Sequence, residues 1–158
     1  MPICYPYGMG VSCVCDSRGR IYRCDFPGVG LMKGGGGGSS GSGSIDVDAQ
    51  HLLNTSVPHR MLIGKELTRG LGAGSEPSIG EGAAEEARSD LLHACSDADI
   101  VFLTGGLGGG TGTGSLPIIA KLAKERGALT IAIVTLPFGN EGARRSKNAR
   151  IGIEKLRK

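Results

Sequence analysis

The chain of 158 residues has few aromatic side chains: it contains three Tyr, three Phe and no Trp. Nucleic-acid-binding surfaces usually combine aromatic and basic residues, and the net charge is only +3. No segment approaches the roughly 18 consecutive apolar residues of a membrane span, and the N-terminus lacks a basic and then apolar secretory signal. We therefore expect a cytoplasmic protein with no nucleic-acid partner and no membrane span.

Two common nucleotide-binding signatures are also missing. The Walker pattern requires Gly-Lys followed by Ser or Thr, but Gly64-Lys65 is followed by Glu66. The dinucleotide pattern G-x-G-x-x-G matches only formally at Gly36, Gly38 and Gly41, inside a Gly/Ser tract where a chance match is expected. A P-loop NTPase is therefore disfavoured, and so is a Rossmann-type oxidoreductase, which also lacks a ribose-binding acid at the expected distance.

A different glycine-rich loop is present at residues 105–114. It follows an apolar run at 99–104 that is typical of a buried strand, and it precedes a helical pattern from 115 to 126. Glycines allow close backbone approach, and a helix N-terminus adds positive potential, so a loop between a strand and a helix suits anions. The order of these elements predicts a polyphosphate site.

This loop resembles the G-G-G-T-G-T-G signature of the tubulin/FtsZ superfamily. Three further segments occur in the family order. Residues 46–52 are similar to N-T-D-x-Q-x-L, with Asp46 and Val47 in place of Asn and Thr; residues 68–80 are similar to T-R-G-L-G-A-G-x-x-P-x-x-G; and residues 129–145 are similar to V-V-T-x-P-F-x-x-E-G-x-x-R. The segment Thr135-Leu136-Pro137-Phe138 looks more like archaeal than bacterial members.

The resemblance implies a GTP or GDP site, with Mg²⁺ brought by the nucleotide and no protein metal ligands. Glu141 would accept from the ribose hydroxyls and Arg145 would approach the sugar and base, although an ordinary i, i+4 ion pair is the alternative for these two. The expected partners are other FtsZ-like subunits in a head-to-tail filament. The residues expected at the phosphates are Gly108, Gly109, Gly110, Thr111, Gly112, Thr113, Gly114, Ala73 and Gly74.

The resemblance covers only residues 46–158, so the chain is expected to be part of an FtsZ-like cell-division GTPase. In this family the acidic residues that position water come from a later loop of the neighbouring subunit. No catalytic residue is assigned in this chain, and we expect it to be inactive by itself. The alternative is a nucleotide-binding or filament-capping module that never hydrolyses GTP.

The composition divides the chain into three parts, of which the first is a Cys-containing segment at residues 1–33. Residues 34–44 form a Gly/Ser tract, interpreted as a flexible linker or as a degenerate first glycine loop, and residues 45–158 form a partial GTP-binding domain. No strand is predicted for residues 25–30. If the tract separates residues 1–44 from the sheet, their deletion is expected to have little effect on stability.

Residues 1–33 resemble nothing in the family. They contain Cys4, Cys13, Cys15 and Cys24, which suit either a small disulfide or metal module or an irregular segment with free thiols. The C-x-C spacing is unusual for zinc, and no histidine lies near. Cys95, at the end of a helical pattern, is expected to be a buried small hydrophobe.

The predicted fold class is α/β, a Rossmann-like parallel sheet with flanking helices. Strands are predicted at 45–47, 99–104 and 129–135, and helices at 77–95, 115–126 and 141–157, with a loop from 48 to 60. Both longer strands are nearly all apolar, as expected for strands covered on both faces. The loops at 70–75 and 105–114 and the turn at Glu141 are predicted to meet at the carboxyl edge of the sheet.

Overall fold

The computed structural model describes residues 14–15, 21–23, 28–34 and 41–158. A two-stranded antiparallel ribbon pairs β1 (Val14–Cys15) with β2 (Ile21–Arg23). The main sheet contains β3 (Val29–Gly34), β4 (Gly41–Asp46), β5 (His59–Leu62), β6 (Ile100–Gly106) and β7 (Leu129–Thr135). The helices are α1 (Ala49–Leu53), α2 (Lys65–Thr68), α3 (Pro77–Glu86), α4 (Arg88–Ala94), α5 (Thr111–Glu125) and α6 (Ala143–Leu156), with a 3₁₀ turn at Gly139–Glu141.

Strand β3 lies at the centre of the sheet, whose order is β5-β4-β3-β6-β7. It pairs antiparallel with both neighbours: Val29 lies opposite Ile45 on β4 and Gly105 on β6. The pairs β4–β5 and β6–β7 are parallel. The predicted α/β class with flanking helices is confirmed, and the sheet is mixed because of this one strand.

The region before residue 45 differs from the sequence-based expectation. The strand expected at 45–47 begins at Gly41, and Val29–Gly34 is a strand although none was predicted there. Gly34 and residues 41–44 of the proposed linker therefore belong to the sheet. Glycine and serine have low strand propensity, but pairing with neighbouring strands satisfies backbone groups of these residues. Residues 35–40 lie outside the described part, as do Cys4, Cys13 and Cys24.

The predicted helices are present with shifted ends. The helix expected at 77–95 is divided at Ala87 into α3 and α4, with Pro77 in the first turn as predicted. Helix α5 begins at Thr111 rather than 115, so its first turn consists of loop residues. The loop expected from 48 to 60 contains α1 and the start of β5, and Asp48 caps α1 by accepting from the backbone N–H groups of Gln50 and His51.

One face of the sheet carries the main hydrophobic core. Strand residues Val29, Leu31 and Leu103 are buried there together with Leu116 and Ile119 of α5. Cys95 belongs to the same core and is a free thiol, as predicted. The edge strand β7 is not covered on both faces within the described residues, contrary to the expectation from its apolar sequence. Its exposed residues are Leu129, Ile131, Ala132 and Ile133.

Because β3 joins the two halves of the sheet, we expect the chain to depend on it. Truncation to residues 45–158 should abolish cooperative thermal unfolding, since β4 and β6 would each lose a hydrogen-bonded neighbour. Val29→Asp in the full chain should cost about 3 kcal/mol or more, because it places a carboxylate at a fully buried position.

Met32→Asp is the matched control, since Met32 lies on the opposite face of β3 and is only partly buried. It should lower the melting temperature by less than Val29→Asp, as measured by circular dichroism. Retention of cooperative unfolding by the truncated chain would show that residues 1–44 are dispensable, contrary to the pairing of β3.

Candidate functional site

The glycine-rich loop connects the end of β6 to the start of α5. Its turn is stabilised internally, because the Gly108 backbone N–H donates to Thr113 Oγ1 at 2.8 Å. Gly108 has φ of +114°, a conformation that favours glycine. The Ser115 hydroxyl donates to the Thr111 carbonyl at 2.6 Å, so it is used within the helix. The loop is thus a preorganised turn at a helix N-terminus, as an anion site requires.

The glycines of this loop have two different roles. A Cβ at Gly112 would lie 2.2 Å from the Gly106 carbonyl oxygen, and one at Gly114 would lie 2.1 Å from that of Pro77. These two glycines permit close packing of α5 on β6 and α3. A Cβ at Gly109 would have nothing within 4 Å, so Gly109 faces open space. The position with room for a ligand is therefore Gly109.

The loop at 70–75 lies directly against the first loop. A Cβ on Gly110 would lie 2.6 Å from the Ala73 Cβ and 2.9 Å from the Glu76 backbone nitrogen, so the two loops touch at Gly110. Gly110 has φ of −82°, which any residue can adopt. This position therefore requires glycine because of close packing and not because of a left-handed backbone. Gly74 faces open space with φ of +54°. Residues 73–74 thus lie beside the glycine loop, as predicted.

The turn at Glu141 reaches the same place. A Cβ on Gly108 would lie 3.2 Å from the Arg145 carbonyl oxygen. The Glu141 carboxylate accepts from the Phe138 backbone N–H at 2.7 Å and from the Arg145 guanidinium at 2.8 Å. These interactions, the backbone hydrogen bond first, hold the pKa of Glu141 below its ordinary value. The i, i+4 pair is present, with both carboxylate oxygens engaged.

Two contacts between these segments were missed by the sequence analysis. The Asn148 side-chain amide donates to the carbonyls of Ser75 and Gly108, at 3.2 Å each, and so joins both loops to α6. Arg144 forms an exposed ion pair with Glu76 at 2.7 Å. A polar residue one turn after Arg145 was the available signal for Asn148, but its partners are backbone atoms more than 35 residues away, which helix periodicity does not reveal.

Asp46 is the buried carboxylate of the site. Its Oδ1 accepts from the Val47 N–H at 2.7 Å, the Asp48 N–H at 3.3 Å and the Thr111 hydroxyl at 3.3 Å. Burial raises the pKa of Asp46, opposed by the two backbone hydrogen bonds, the charge of His51 and the Thr111 hydrogen bond. Thr111, predicted to donate to phosphate, is thus already bound to an acid.

The described residues contain no group of three or more His, Cys, Asp or Glu side chains arranged to hold a metal ion. A cavity of about 330 Å³ lies elsewhere, between β7, α5 and α6, and its lining includes Ala132, Val134 and Ile153. Beside the glycine loop, the positions of a Cβ on Gly109 and on Gly74 lie in open space. No helix in the described part of the chain is both long and apolar enough to cross a membrane.

Comparison with known proteins agrees with this geometry. The tubulin/FtsZ family, GTPase domain, matches residues 41–158, beginning at the first residue of β4. The chain belongs to the tubulin/FtsZ family. It is 56% identical over 115 residues to cell division protein FtsZ 1 of Pyrococcus abyssi and 55% identical over 114 residues to FtsZ 1 of Methanocaldococcus jannaschii. These alignments cover 73% and 72% of the chain, respectively.

Solved structures of the tubulin/FtsZ family show the same fold. An empty FtsZ dimer from M. jannaschii superposes with a TM-score of 0.71 at 55% identity, covering 72% of this chain and 33% of that one. A GTPγS-bound protofilament of CetZ2 from Haloferax volcanii gives 0.67 at 27% identity, covering 72% of this chain and 36% of the other. The chain spans 31% of the length of the two FtsZ 1 relatives.

Gly109→Val tests whether the open space beside the loop is ligand space. We expect GDP affinity to fall at least ten-fold, because a branched side chain would occupy the position that a phosphate needs. The melting temperature should stay unchanged, since a Cβ at Gly109 has no neighbour within 4 Å. Isothermal titration calorimetry and thermal unfolding measure the two quantities.

Gly34→Val is the matched control, because a Cβ there also has nothing within 4 Å and Gly34 lies at the end of β3. It should leave GDP affinity unchanged. Equal affinity of wild type and Gly109→Val would exclude the space beside Gly109 as the phosphate position.

The lowered pKa of Glu141 predicts an acid transition in the turn at 139–141. Because the folded pKa lies below the ordinary value of 4.5, the carboxylate stabilises the turn above pH 4.5. This contribution is lost as the pH falls through the lowered pKa. The Phe138 amide resonance in NMR spectra should therefore shift only below pH 4.5, and the transition should disappear in Glu141→Gln. A midpoint above 4.5 would contradict the arrangement.

Proposed function

We propose that the chain binds a guanine nucleotide at the carboxyl edge of the sheet. One observation carries the proposal: three segments predicted to contact the nucleotide, which are far apart in sequence, meet beside the N-terminus of α5. Gly110 contacts the 70–75 loop, Gly108 contacts α6, and Asn148 joins both loops. A preorganised glycine loop at a helix N-terminus is the part of such a site that binds phosphates.

In this proposal the backbone N–H groups of the 108–114 loop hold the α- and β-phosphates. Residues 73–74 lie next to the terminal phosphate, and Gly74 offers open space there. Glu141 and Arg145 bind the ribose and base of the nucleotide. When the nucleotide binds, the ion pair between these two side chains either rearranges or is shared with the ligand. Mg²⁺ would be held by the nucleotide phosphates and water.

We further propose that the chain binds GTP without turning it over alone. Three described acids near the loop already have contacts: Glu76 pairs with Arg144, Glu141 pairs with Arg145 and accepts from the Phe138 N–H, and Asp46 is buried with its Oδ1 hydrogen-bonded. We therefore assign none of these three as the group that orients an attacking water. The role of the whole protein would be GTP-dependent filament assembly with FtsZ-like subunits in the cytoplasm, supported by the protofilament that CetZ2 of Haloferax volcanii forms.

A non-hydrolysing nucleotide-binding or filament-capping module is the second candidate. It is favoured by the engaged acids around the loop and by the exposed apolar residues of β7. The two candidates differ in what an active FtsZ-like partner does. A domain of a GTPase should regain turnover when such a partner supplies its acidic loop, whereas a capping module should bind the partner and stop its filaments growing.

Binding of GTP, ATP and NAD to the purified chain tests the proposal. We expect GTP and GDP to bind, ATP to bind at least ten-fold more weakly, and NAD not to bind. Phosphate release from GTP should equal background even at concentrations that promote self-association. Absence of GTP binding would refute the function. Hydrolysis by the isolated chain that is lost in Thr111→Ala would show that an acid within residues 1–158 performs catalysis.

A further inference from the structure

Asp46 occupies an unusual position beneath the predicted phosphate loop. It is the last residue of β4, and its side chain is only 2% exposed. All three of its hydrogen bonds converge on Oδ1, whereas the buried Oδ2 has no hydrogen-bond partner. A Cβ on Gly28, just before β3, would lie 2.8 Å from Oδ2, so the carboxyl group is enclosed on that side too.

Little positive charge compensates this carboxyl group. From α1, His51 places its Nδ1 3.6 Å from Asp46 Oδ2. From the turn after β4, the Asp48 carboxylate lies 3.7 Å from the same His51 nitrogen and competes for it. From α5 comes the neutral Thr111 hydroxyl. Among the described residues, the cationic group near Asp46 is therefore the half-exposed side chain of His51.

We propose that Asp46 is an affinity-limiting residue that opposes the binding of polyphosphate at the glycine loop. The proposal rests on the proposed nucleotide site. The ionised carboxylate acts in two ways: its charge lies close to the loop, and it takes the hydrogen of the Thr111 hydroxyl that would otherwise point to a phosphate oxygen. Neutralisation of Asp46, by a proton or by the His51 cation, strengthens binding.

The electrostatic interaction between Asp46 and a bound polyphosphate should be large enough to change the affinity measurably. Two charges several ångströms apart in a partly buried site interact far more strongly than in bulk water, and salt screens them less than it screens surface charges. Burial with an unpartnered Oδ2 disfavours the ionised form of Asp46 and raises its pKa. A polyanion at the loop disfavours this form further, so ligand binding and protonation of Asp46 are coupled.

The test compares GDP affinity of wild type and Asp46→Asn by calorimetry, in EDTA so that no divalent cation takes part. At neutral pH, Asp46→Asn should bind GDP about ten-fold more tightly. The ratio of the two affinities should fall toward one on acidification, at a pH above the ordinary Asp value of 3.8, because protonated Asp46 is as neutral as asparagine. Titration of the GDP phosphates cancels in this ratio.

Asp90→Asn is the charge-matched control, since it removes one carboxylate from an exposed position on α4; its affinity should equal that of wild type. His51→Ala keeps Asp46 and provides a second test. It should weaken GDP binding several-fold in the wild-type background but not in Asp46→Asn, because His51 Nδ1 lies 3.6 Å from Asp46 Oδ2.

If wild type binds GDP and Asp46→Asn binds it equally well or more weakly, the inference about Asp46 is overturned, while the nucleotide site itself stands. A pH-independent ratio would overturn it as well. If Asp46→Asn does not fold, an unchanged GDP affinity in His51→Ala would overturn the inference instead. Failure of every protein to bind GDP would refute the nucleotide site itself, and the role of Asp46 with it.

Discussion

The pairing of β3 with both β4 and β6 is the interaction on which the rest of the structure depends. It holds together two parallel strand pairs that do not otherwise hydrogen-bond to each other in the described sheet. Asp46 lies at the end of β4, and the glycine loop lies after β6. The distance between Asp46 and Thr111 is therefore set by a strand that precedes the family match, which starts at Gly41.

The carboxyl edge of the sheet combines backbone geometry that suits an anion with a buried acidic side chain. Backbone N–H groups, the α5 N-terminus and the open space at Gly109 suit an anion, while Asp46 places a buried carboxyl group nearby. Asn148 contributes rigidity, because one amide holds two carbonyls from segments separated by more than 30 residues. In this site the backbone sets the shape, and side chains such as Asp46 set the local charge.

Local patterns predicted much of the α/β region. Strand 129–135 has the predicted bounds, because an uncharged apolar run next to a glycine allows few alternatives, and Pro77 marked the first turn of α3 correctly. The start of α5 was missed by four residues, since its first turn is made of glycines and threonines with weak helix propensity. Tertiary packing against Gly106 and Pro77 overrides that propensity.

The largest difference concerned Val29–Gly34 and Gly41–Asp46, where glycine and serine interrupt the apolar pattern of a strand. Strand formation there depends on hydrogen bonds to partners distant in sequence, which periodicity cannot show. The convergence of the three site segments followed from the rule that ligands bind beyond the carboxyl ends of parallel strands. The electrostatic state of Asp46 depends on burial and on His51, so it required the structure.

Gly112 and Gly114 restrict which residues the first turn of α5 can contain. Any side chain at either position would meet a backbone carbonyl, which has no rotamer by which to move away. Gly109 faces open space and has no such restriction, whereas Gly74 is restricted by its φ of +54° and not by a neighbour. A substitution at Gly109 can therefore change the space beside the loop without moving the first turn of α5, which a substitution at Gly112 or Gly114 cannot do.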